Sequence, residues 1–290
     1  MFIQFKDFLK SHKALFKIAL FIQKQLKLST TEGTTKLNIL KSFPMYEAHG
    51  LGLYTIRAKL TISSINQTLP ALAKFASKSE KNTIFQKEFE DLLLQADNDK
   101  QIKLARYFNQ YGSDKATSHN YYKIYAEVLG KLERPRKILE IGLGTNNSDI
   151  VSTMGSRGKP GASLRAFRDF QENCEIFGAD FDKRILFSEN RINTFFVDQT
   201  DPTTFEELSK NVGFDFDLMI DDGLHSPNAN LHSLKFFVKH LRLGGYAIIE
   251  DIHPSTKPIW EIVSELIEPN FVSAFLQTKS ACLFIARKEK

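Results

Sequence analysis

The sequence predicts an α/β domain built on a doubly wound, mostly parallel sheet, preceded by a mainly helical N-terminal extension. Three observations carry this. The stretch Lys137-Ile138-Leu139-Glu140-Ile141-Gly142-Leu143-Gly144-Thr145 is an apolar run of strand length that closes on an acid and then Gly-x-Gly. A buried parallel strand delivers the chain in this way to a loop that must approach a ligand closely. From Lys137 onward, apolar strand-length runs alternate with helical patterns, as parallel β-α-β units require. Finally, the runs Phe271 to Leu276 and Ala281 to Ala286 are separated by only four residues, Gln277-Thr278-Lys279-Ser280. That leaves room for an antiparallel hairpin and none for a crossover helix.

In chain order, the apolar residues Phe5, Phe8, Leu9, Leu15, Phe16, Ala19, Ile22 and Leu26 recur at helical spacing, with lysines largely on the other side. A basic amphipathic helix over residues 1–28 either packs on the protein, pairs with another subunit in a homo-oligomer, or lies in a membrane interface. Residues 29–50, rich in Ser, Thr and Gly and holding Pro44, read as loop. Leu51 to Ile65 partly alternates, with Tyr54, Ile56, Ala58, Leu60 and Ile62 on one face, which suggests a short strand or hairpin outside the main sheet. Helical patterns then run from 70 to about 109 through Phe85, Phe89, Leu92, Leu104 and Phe108. The extension is therefore expected over 1–109 and the sheet domain over 110–290.

The sheet domain opens with Tyr111-Gly112-Ser113-Asp114-Lys115 and His119-Asn120-Tyr121-Tyr122, followed by Tyr125. A polar, aromatic segment directly before the first strand lies near the glycine loop, where Ser113, Lys115 and the tyrosine hydroxyls can meet a ligand. The alternative is a helix start capped by Ser118, with the tyrosines packed on the sheet. Strand one is expected at 137–141, and a helix over 162–172 after a loop through Gly155, Gly158 and Gly161. Further strands are expected at 175–180, Thr194 to Val197, Phe216 to Ile220 and Tyr246 to Ile249. Trp260, the one tryptophan, is expected to pack a helix.

Composition narrows the function. Of 290 residues, 42% are hydrophobic, ample for a sizeable core. The net charge of +5 is local, because residues 1–28 hold six lysines against the single Asp7 and the remainder is neutral. A neutral sheet domain without an Arg-rich, aromatic-interleaved patch excludes nucleic acid as the expected partner. Cys174 and Cys282 form no metal-type spacing and no disulfide framework, which points to a reducing compartment. Lys13, Lys17, Lys24 and Lys27 interrupt any secretory core or membrane span, so a cytoplasmic protein is expected, with residues 1–28 as the one segment able to touch a membrane face.

The glycine loop is not that of a dinucleotide site, which needs a third glycine where Asn147 stands. The absence of a Tyr-x-x-x-Lys pair on a plausible central helix also counts against a nicotinamide-dependent oxidoreductase. The fourth strand ends in Asp221-Asp222-Gly223-Leu224-His225 and the fifth in Glu250-Asp251-Ile252-His253. In a parallel sheet both sets emerge at the carboxyl edge, bringing four carboxylates and two imidazoles to one crevice. Carboxylates packed so closely repel unless a cation or proton intervenes, and an all-oxygen set suits Mg²⁺ or Ca²⁺ rather than zinc.

Glu140-x-Gly142-x-Gly144 after the first strand and Asp180 closing the second resemble class I S-adenosylmethionine (SAM) dependent methyltransferases, a Rossmann-like fold whose sheet ends in an antiparallel hairpin. The region 111–255, with its Gly-Ser-Asp-Lys lead-in, Asp222-x-x-His225 and Glu250-Asp251, is similar to the metal-dependent sugar O-methyltransferases of macrolide and surface-polysaccharide pathways. The resemblance implies seven strands, SAM as methyl donor, and Mg²⁺ on Asp222, Glu250 and Asp251. It implies His225 as general base and a saccharide or other small-molecule hydroxyl as acceptor. For the cofactor it implies Gly142 and Gly144 as the close-approach loop with Glu140 behind, Asp180 on the ribose, Asp198-Gln199 near adenine, and Asp221 on the cofactor side. The long 145–161 loop and the N-terminus depart from the family pattern. A SAM-binding adaptor without catalysis is the further alternative, and the intact acid and histidine set counts against it.

Overall fold

The computed structural model describes residues 66–132, 135–267 and 269–290. The basic helix expected over 1–28 and the strand or hairpin near 51–65 lie outside the described residues. Ala73–Lys290 forms one compact unit. Among the described residues no helix is long and apolar enough to cross a membrane.

After a helical segment over 66–73, three longer helices precede the sheet. In α1 (Glu80–Leu94) the Ser79 hydroxyl accepts from the Asn82 amide. In α2 (Asp99–Tyr111) Asn98 and Gln101 form a reciprocal capping box, and Gly112 closes the helix in the left-handed region. Helix α3 (Tyr121–Lys131) starts from Asn120 at φ 60°, without a side-chain cap, so Ser118 is not the N-cap. Phe85 and Phe89 of α1, Leu104 and Phe108 of α2, and Ile124 and Tyr125 of α3 are buried in the same core as Ile138, Ile176 and Ile220 of the sheet. Helices α1 and α2 thus lie within the compact unit that holds the sheet, and the boundary expected at 109/110 is not where the contacts divide. Helical periodicity reveals an apolar stripe but not the surface that stripe meets.

The sheet comprises β1 (Lys137–Ile141), β2 (Glu175–Asp180), β3 (Ser188–Glu189), β4 (Ile192–Phe196), β5 (Phe216–Asp221), β6 (Leu241–Ile252), β7 (Phe271–Gln277) and β8 (Cys282–Lys288). Their order is β3-β4-β2-β1-β5-β6-β8-β7. Pairings β4-β2-β1-β5-β6 are parallel, whereas β8 runs antiparallel to both β6 and β7. This is the class I methyltransferase fold with one addition, the two-residue β3, which pairs antiparallel with β4 through a turn holding Arg191 at φ 60°. A two-residue strand is too short to leave a periodic trace, so seven strands were expected in the sheet where eight are found among the described residues.

Strand alternation sorts the core into two layers, as period-2 geometry demands. Ile138, Ile176, Leu218 and Ile248 face α1, α2, α3 and α4 (Ala162–Phe170). Leu139, Phe177, Met219 and Ile249 face α5 (Pro202–Val212), α6 (Pro227–His240) and α7 (Lys257–Ile267). Trp260 of α7 is 1% exposed and packs on Phe284 of β8, as a packing role requires. Both cysteines are free and buried. The chain runs outward from β1 through β2 and β4 on one side and then crosses back to β5 on the other, so the winding reverses at β1, and a crevice opens beyond the carboxyl ends of β1 and β5.

Removal of residues 1–72 is expected to leave a chain that unfolds cooperatively by circular dichroism. Removal through Tyr111 takes away the partners of Ile124, Tyr125 and Phe167 and should abolish the cooperative transition. A cooperatively folded 112–290 fragment would restore the boundary at 109/110.

Candidate functional site

At the crevice the exits of β1 and β5 nearly touch. The Asp222 amide donates to the Ile141 carbonyl at 2.8 Å. A Cβ on Gly142, whose φ is +94°, would stand 2.0 Å from the Asp222 carbonyl oxygen, so only glycine permits this approach. Around it lies a cavity of about 370 Å³, lined among others by Gly142, Gly144, Thr145, Asp180, Asp198, Gln199, Asp222, His225 and Asp251. The volume falls in the range of small-molecule sites.

The loop over the cavity is pinned from the end of β2. The Asp180 carboxylate accepts from the Leu143 amide at 2.7 Å and from the Asp182 amide at 2.8 Å. Asp182 in turn accepts from the Thr145 hydroxyl and the Asn147 side-chain amide, both at 2.7 Å. Its Arg184 partner first, then these donors, hold the Asp182 carboxyl well below the usual carboxylate range despite burial. Burial has the opposite effect on Asp180 and pushes its carboxyl up. Asp182 was not singled out from sequence; its signal is the second acid of Asp180-Phe181-Asp182, two residues past the strand end.

On the other wall, Gln199 is spent on the protein itself. Its amide donates to Asp221 at 2.9 Å and to the Ser233 hydroxyl at 2.8 Å, while its oxygen accepts from the Leu224 amide at 2.8 Å. Asp198 lines the cavity while accepting from the Thr200 amide at 2.8 Å. Asp221 is fully buried, also accepts from Asn230 and the Gly223 amide, and does not line the cavity. It therefore shapes the β5 turn instead of facing the cofactor side.

The acids at the strand ends form two groups that share Asp222. The outer group, Asp222, His225 and Asp251, has its ligand atoms within 4.8 Å of one another and faces the cavity. His225 Nε2 stands 3.9 Å from Asp222 and 4.0 Å from Asp251, beyond hydrogen-bond range of both. The inner group is Glu140, Asp222 and Glu250, and the ammonium of Lys115 sits among them at 3.2, 2.7 and 2.7 Å. Lys115, Glu140 and Glu250 are each 1% exposed or less, and none lines the cavity. Burial alone would push the Lys115 ammonium down, but Asp222, Glu250 and Glu140 outweigh it and hold the group well above its ordinary value.

Five sequence expectations change accordingly. Lys115 and Ser113, expected to meet a ligand, are both buried and neither lines the cavity. Glu140 sits behind the glycine loop as expected, but it accepts from the Ser163 hydroxyl and pairs with Lys115. Glu250, placed with Asp222 and Asp251 in the expected ligand set, turns inward to Lys115 and the Tyr125 hydroxyl. His253 bonds Ser255 at 2.7 Å and stays outside the cluster. The second imidazole is instead His119, stacked on Tyr121 and 3.5 Å from both Asp114 and Asp251. Tyr121 fixes Asp251 from below, donating to its carboxylate at 2.6 Å. Sequence spacing places strand ends together but does not say toward which layer each end turns its side chain.

No family model matches the chain. Among characterised proteins it is 27% identical over 173 residues to the 8-demethyl-8-alpha-L-rhamnosyl tetracenomycin-C 2'-O-methyltransferase of Streptomyces olivaceus, 59% of this chain and 43% of that one. It is 34% identical over 116 residues to the demethylmacrocin O-methyltransferase of Streptomyces fradiae, 40% of this chain and 27% of that one. A further match, 36% over 117 residues, is the mycinamicin VI 2''-O-methyltransferase of Micromonospora griseorubida, covering 40% and 27%. The chain thus spans less than half the length of these relatives. Among solved structures it shares the fold of the MycE methyltransferase from the mycinamycin biosynthetic pathway, determined in complex with Mg and SAH, with a TM-score of 0.52, 22% identity and coverage of 65% of this chain and 55% of that one.

Gly142→Ala is expected to lower the melting temperature by about 5–10 °C and to weaken binding of S-adenosylhomocysteine, since a backbone carbonyl must move. Gly155→Ala is the control: its φ is +69° but nothing lies within 4 Å of the added Cβ. Equal melting temperatures for the two variants would mean that close approach of β1 and β5 is not the constraint.

His119 offers a pH test. Its hydrogen bond to Asp114, with Asp251 and Asp222 behind, outweighs burial and raises the imidazole above its ordinary value. A raised folded value means the stabilisation is complete below the unfolded value of about 6.5 and is lost as pH rises through the folded one. The melting-temperature advantage of wild type over His119→Gln should therefore be largest near about pH 5–6 and shrink above. A constant advantage across that window would assign the effect to stacking on Tyr121.

Proposed function

We propose that this chain is a SAM-dependent O-methyltransferase that methylates a sugar hydroxyl of a glycosylated acceptor, a natural product or a surface-polysaccharide precursor, with a divalent cation such as Mg²⁺ at the site. The observation that carries this reading is the meeting, in one cavity, of the Gly142 and Gly144 loop with the outer group Asp222, Asp251 and His225. The sugar O-methyltransferases it resembles, and a fold shared with a methyltransferase bound to Mg and SAH, support it.

The residues present fit both groups. The glycine loop that lines the cavity at Gly142 and Gly144, beside Asp180 at the cavity wall, suits a nucleoside approached by backbone, with the Asp180 carboxylate toward the ribose hydroxyls. When bound, SAM supplies an electrophilic methyl on a sulfonium. Asp222 and Asp251 offer carboxylate oxygens to a hard cation, which there would lower the pKa of a coordinated alcohol.

Transfer to a hydroxyl requires alignment and removal of its proton. His225 lines the cavity with its side chain 35% exposed, near enough to both acids to meet a hydroxyl held between them. It takes the acceptor proton at a ring nitrogen, while the flanking carboxylates stabilise the resulting imidazolium. His225 and Asp251 are both held at positive φ, 54° and 51°, and backbone strain of this kind persists where the surrounding structure over-determines it.

Labelled methyl transfer from SAM to a panel of deoxysugar glycosides tests the proposal. EDTA should abolish transfer. His225→Ala should slow it by about 10²–10⁴-fold while S-adenosylhomocysteine binding by calorimetry is unchanged. Full activity in EDTA removes the cation from the reading, and a wild-type rate in His225→Ala moves the base elsewhere. Absence of SAM binding would overturn the whole assignment.

A further inference from the structure

The four acids at the strand ends contain two adjacent cation positions, one of which the chain fills itself. The inner position is bounded by Glu140 of β1, Asp222 after β5 and Glu250 of β6, whose oxygens lie within 4.8 Å of one another. At its centre is the ammonium of Lys115, 2.7 Å from Asp222 and Glu250 and 3.2 Å from Glu140. The Glu140 oxygen at 3.2 Å, Oε1, is buried and has no hydrogen-bond partner among the described residues. The outer position, formed by Asp222 and Asp251 with His225, opens on the cavity and holds no side-chain ammonium.

Three carboxylates converging from three strands are a donor set for a hard divalent ion. Two such ions sharing one carboxylate make the paired-metal arrangement found in phosphatases and nucleases. A one-unit charge fixed in the inner position prevents that pairing here.

We propose that Lys115 is a tethered cation that occupies the inner of two cation positions, limits the cluster to one exchangeable divalent ion, and presents Asp222 to it. Lys115 is a positioning residue, since it does not line the cavity and touches it only through Asp222. Its three partners come from the strand behind the glycine loop and the two strands that carry the outer acids. The ammonium therefore fixes the cation site relative to the cofactor loop as well as setting its charge. For the outer position the inference rests on the proposed function; the inner one stands on the geometry of Lys115 alone.

The test is Mn²⁺ binding, followed by calorimetry and by electron paramagnetic resonance on the full chain. Wild type should bind one ion, Lys115→Met two, with the spin coupling of a carboxylate-bridged pair. Glu140→Gln added to Lys115→Met should return the count to one, because Glu140 belongs to the inner group alone. If wild type binds none and Lys115→Met binds one, the cation in the proposed function is wrong while the inner position is upheld. A folded Lys115→Met that keeps the wild-type stoichiometry and affinity overturns the inference, as does a wild type that binds two. Should Lys115→Met be unstable in EDTA, Mn²⁺ is expected to restore its melting transition while leaving that of wild type nearly unchanged. Failure of Mn²⁺ to do so equally overturns the inference.

Discussion

The ammonium of Lys115 among Glu140, Asp222 and Glu250 is the interaction on which the site depends. Bringing three carboxylates together at the ends of β1, β5 and β6 is costly, because each buried charge forfeits several kcal/mol of hydration. The sheet cannot avoid their proximity: β1 and β6 flank β5 in register, and Ile141 pairs with Asp221 while Asp221 pairs with Ile249. A cation is therefore needed inside the fold as well as at its surface. Lys115 supplies it from the segment between α2 and α3. This ties the helices before the sheet to the sheet: the segment leading into α3 delivers the ammonium, and Tyr121 and Tyr125 of α3 donate to Asp251 and Glu250. Removing one partner from a buried ionic group of this kind typically costs about 3–5 kcal/mol, mostly through the charges left behind.

A second constraint is steric. The β1 and β5 exits can converge only because Gly142 has no Cβ, and their convergence puts Asp222 beside the cofactor loop. Gly223 repeats the device toward Gln199, where an added Cβ would stand 2.0 Å from the side-chain oxygen. Gln199, Asp221, Ser233 and Asn230 then form a closed polar network under the β5 turn. Each hydrogen bond in it contributes modestly, but a fully satisfied network fixes the direction in which the turn leaves the sheet. Cofactor loop and acid turn are thus two faces of one packing arrangement.

How much of this was legible in the sequence differs by the range of the interaction. Strand runs, the glycine loop and the closing hairpin are local patterns, and β1, β2, β5 and the β7-β8 pair lie within a residue or two of where periodicity puts them. Asp222, His225 and Asp251 were legible as well, because strand ends in a parallel sheet share an edge. The inward turn of Glu250 and the role of Lys115 were not. Both depend on a contact spanning 135 residues. A lysine in a polar segment looks like a surface group until the burial of its partners is known. Asp198 and Gln199 show the intermediate case: their position was right, and Gln199 turned out to be saturated by the protein.

The two groups also explain why adjacent acids at the end of β6 part company. In a strand, successive side chains point to opposite faces, so Glu250 and Asp251 cannot both reach one site without a departure from strand geometry. Glu250 keeps the regular course and enters the layer of α3, where Lys115 and Tyr125 wait. Asp251 takes φ 51°, the β6–β8 register shifts between Ile249 and Ile252, and its carboxylate comes round to Asp222 and His225. Tyr121 stabilises the departure by accepting from the Asp251 amide at 3.2 Å and donating to its carboxylate. The positive φ at Asp251 is what separates a pair of neighbouring acids, sending Glu250 to Lys115 and Asp251 to the cavity.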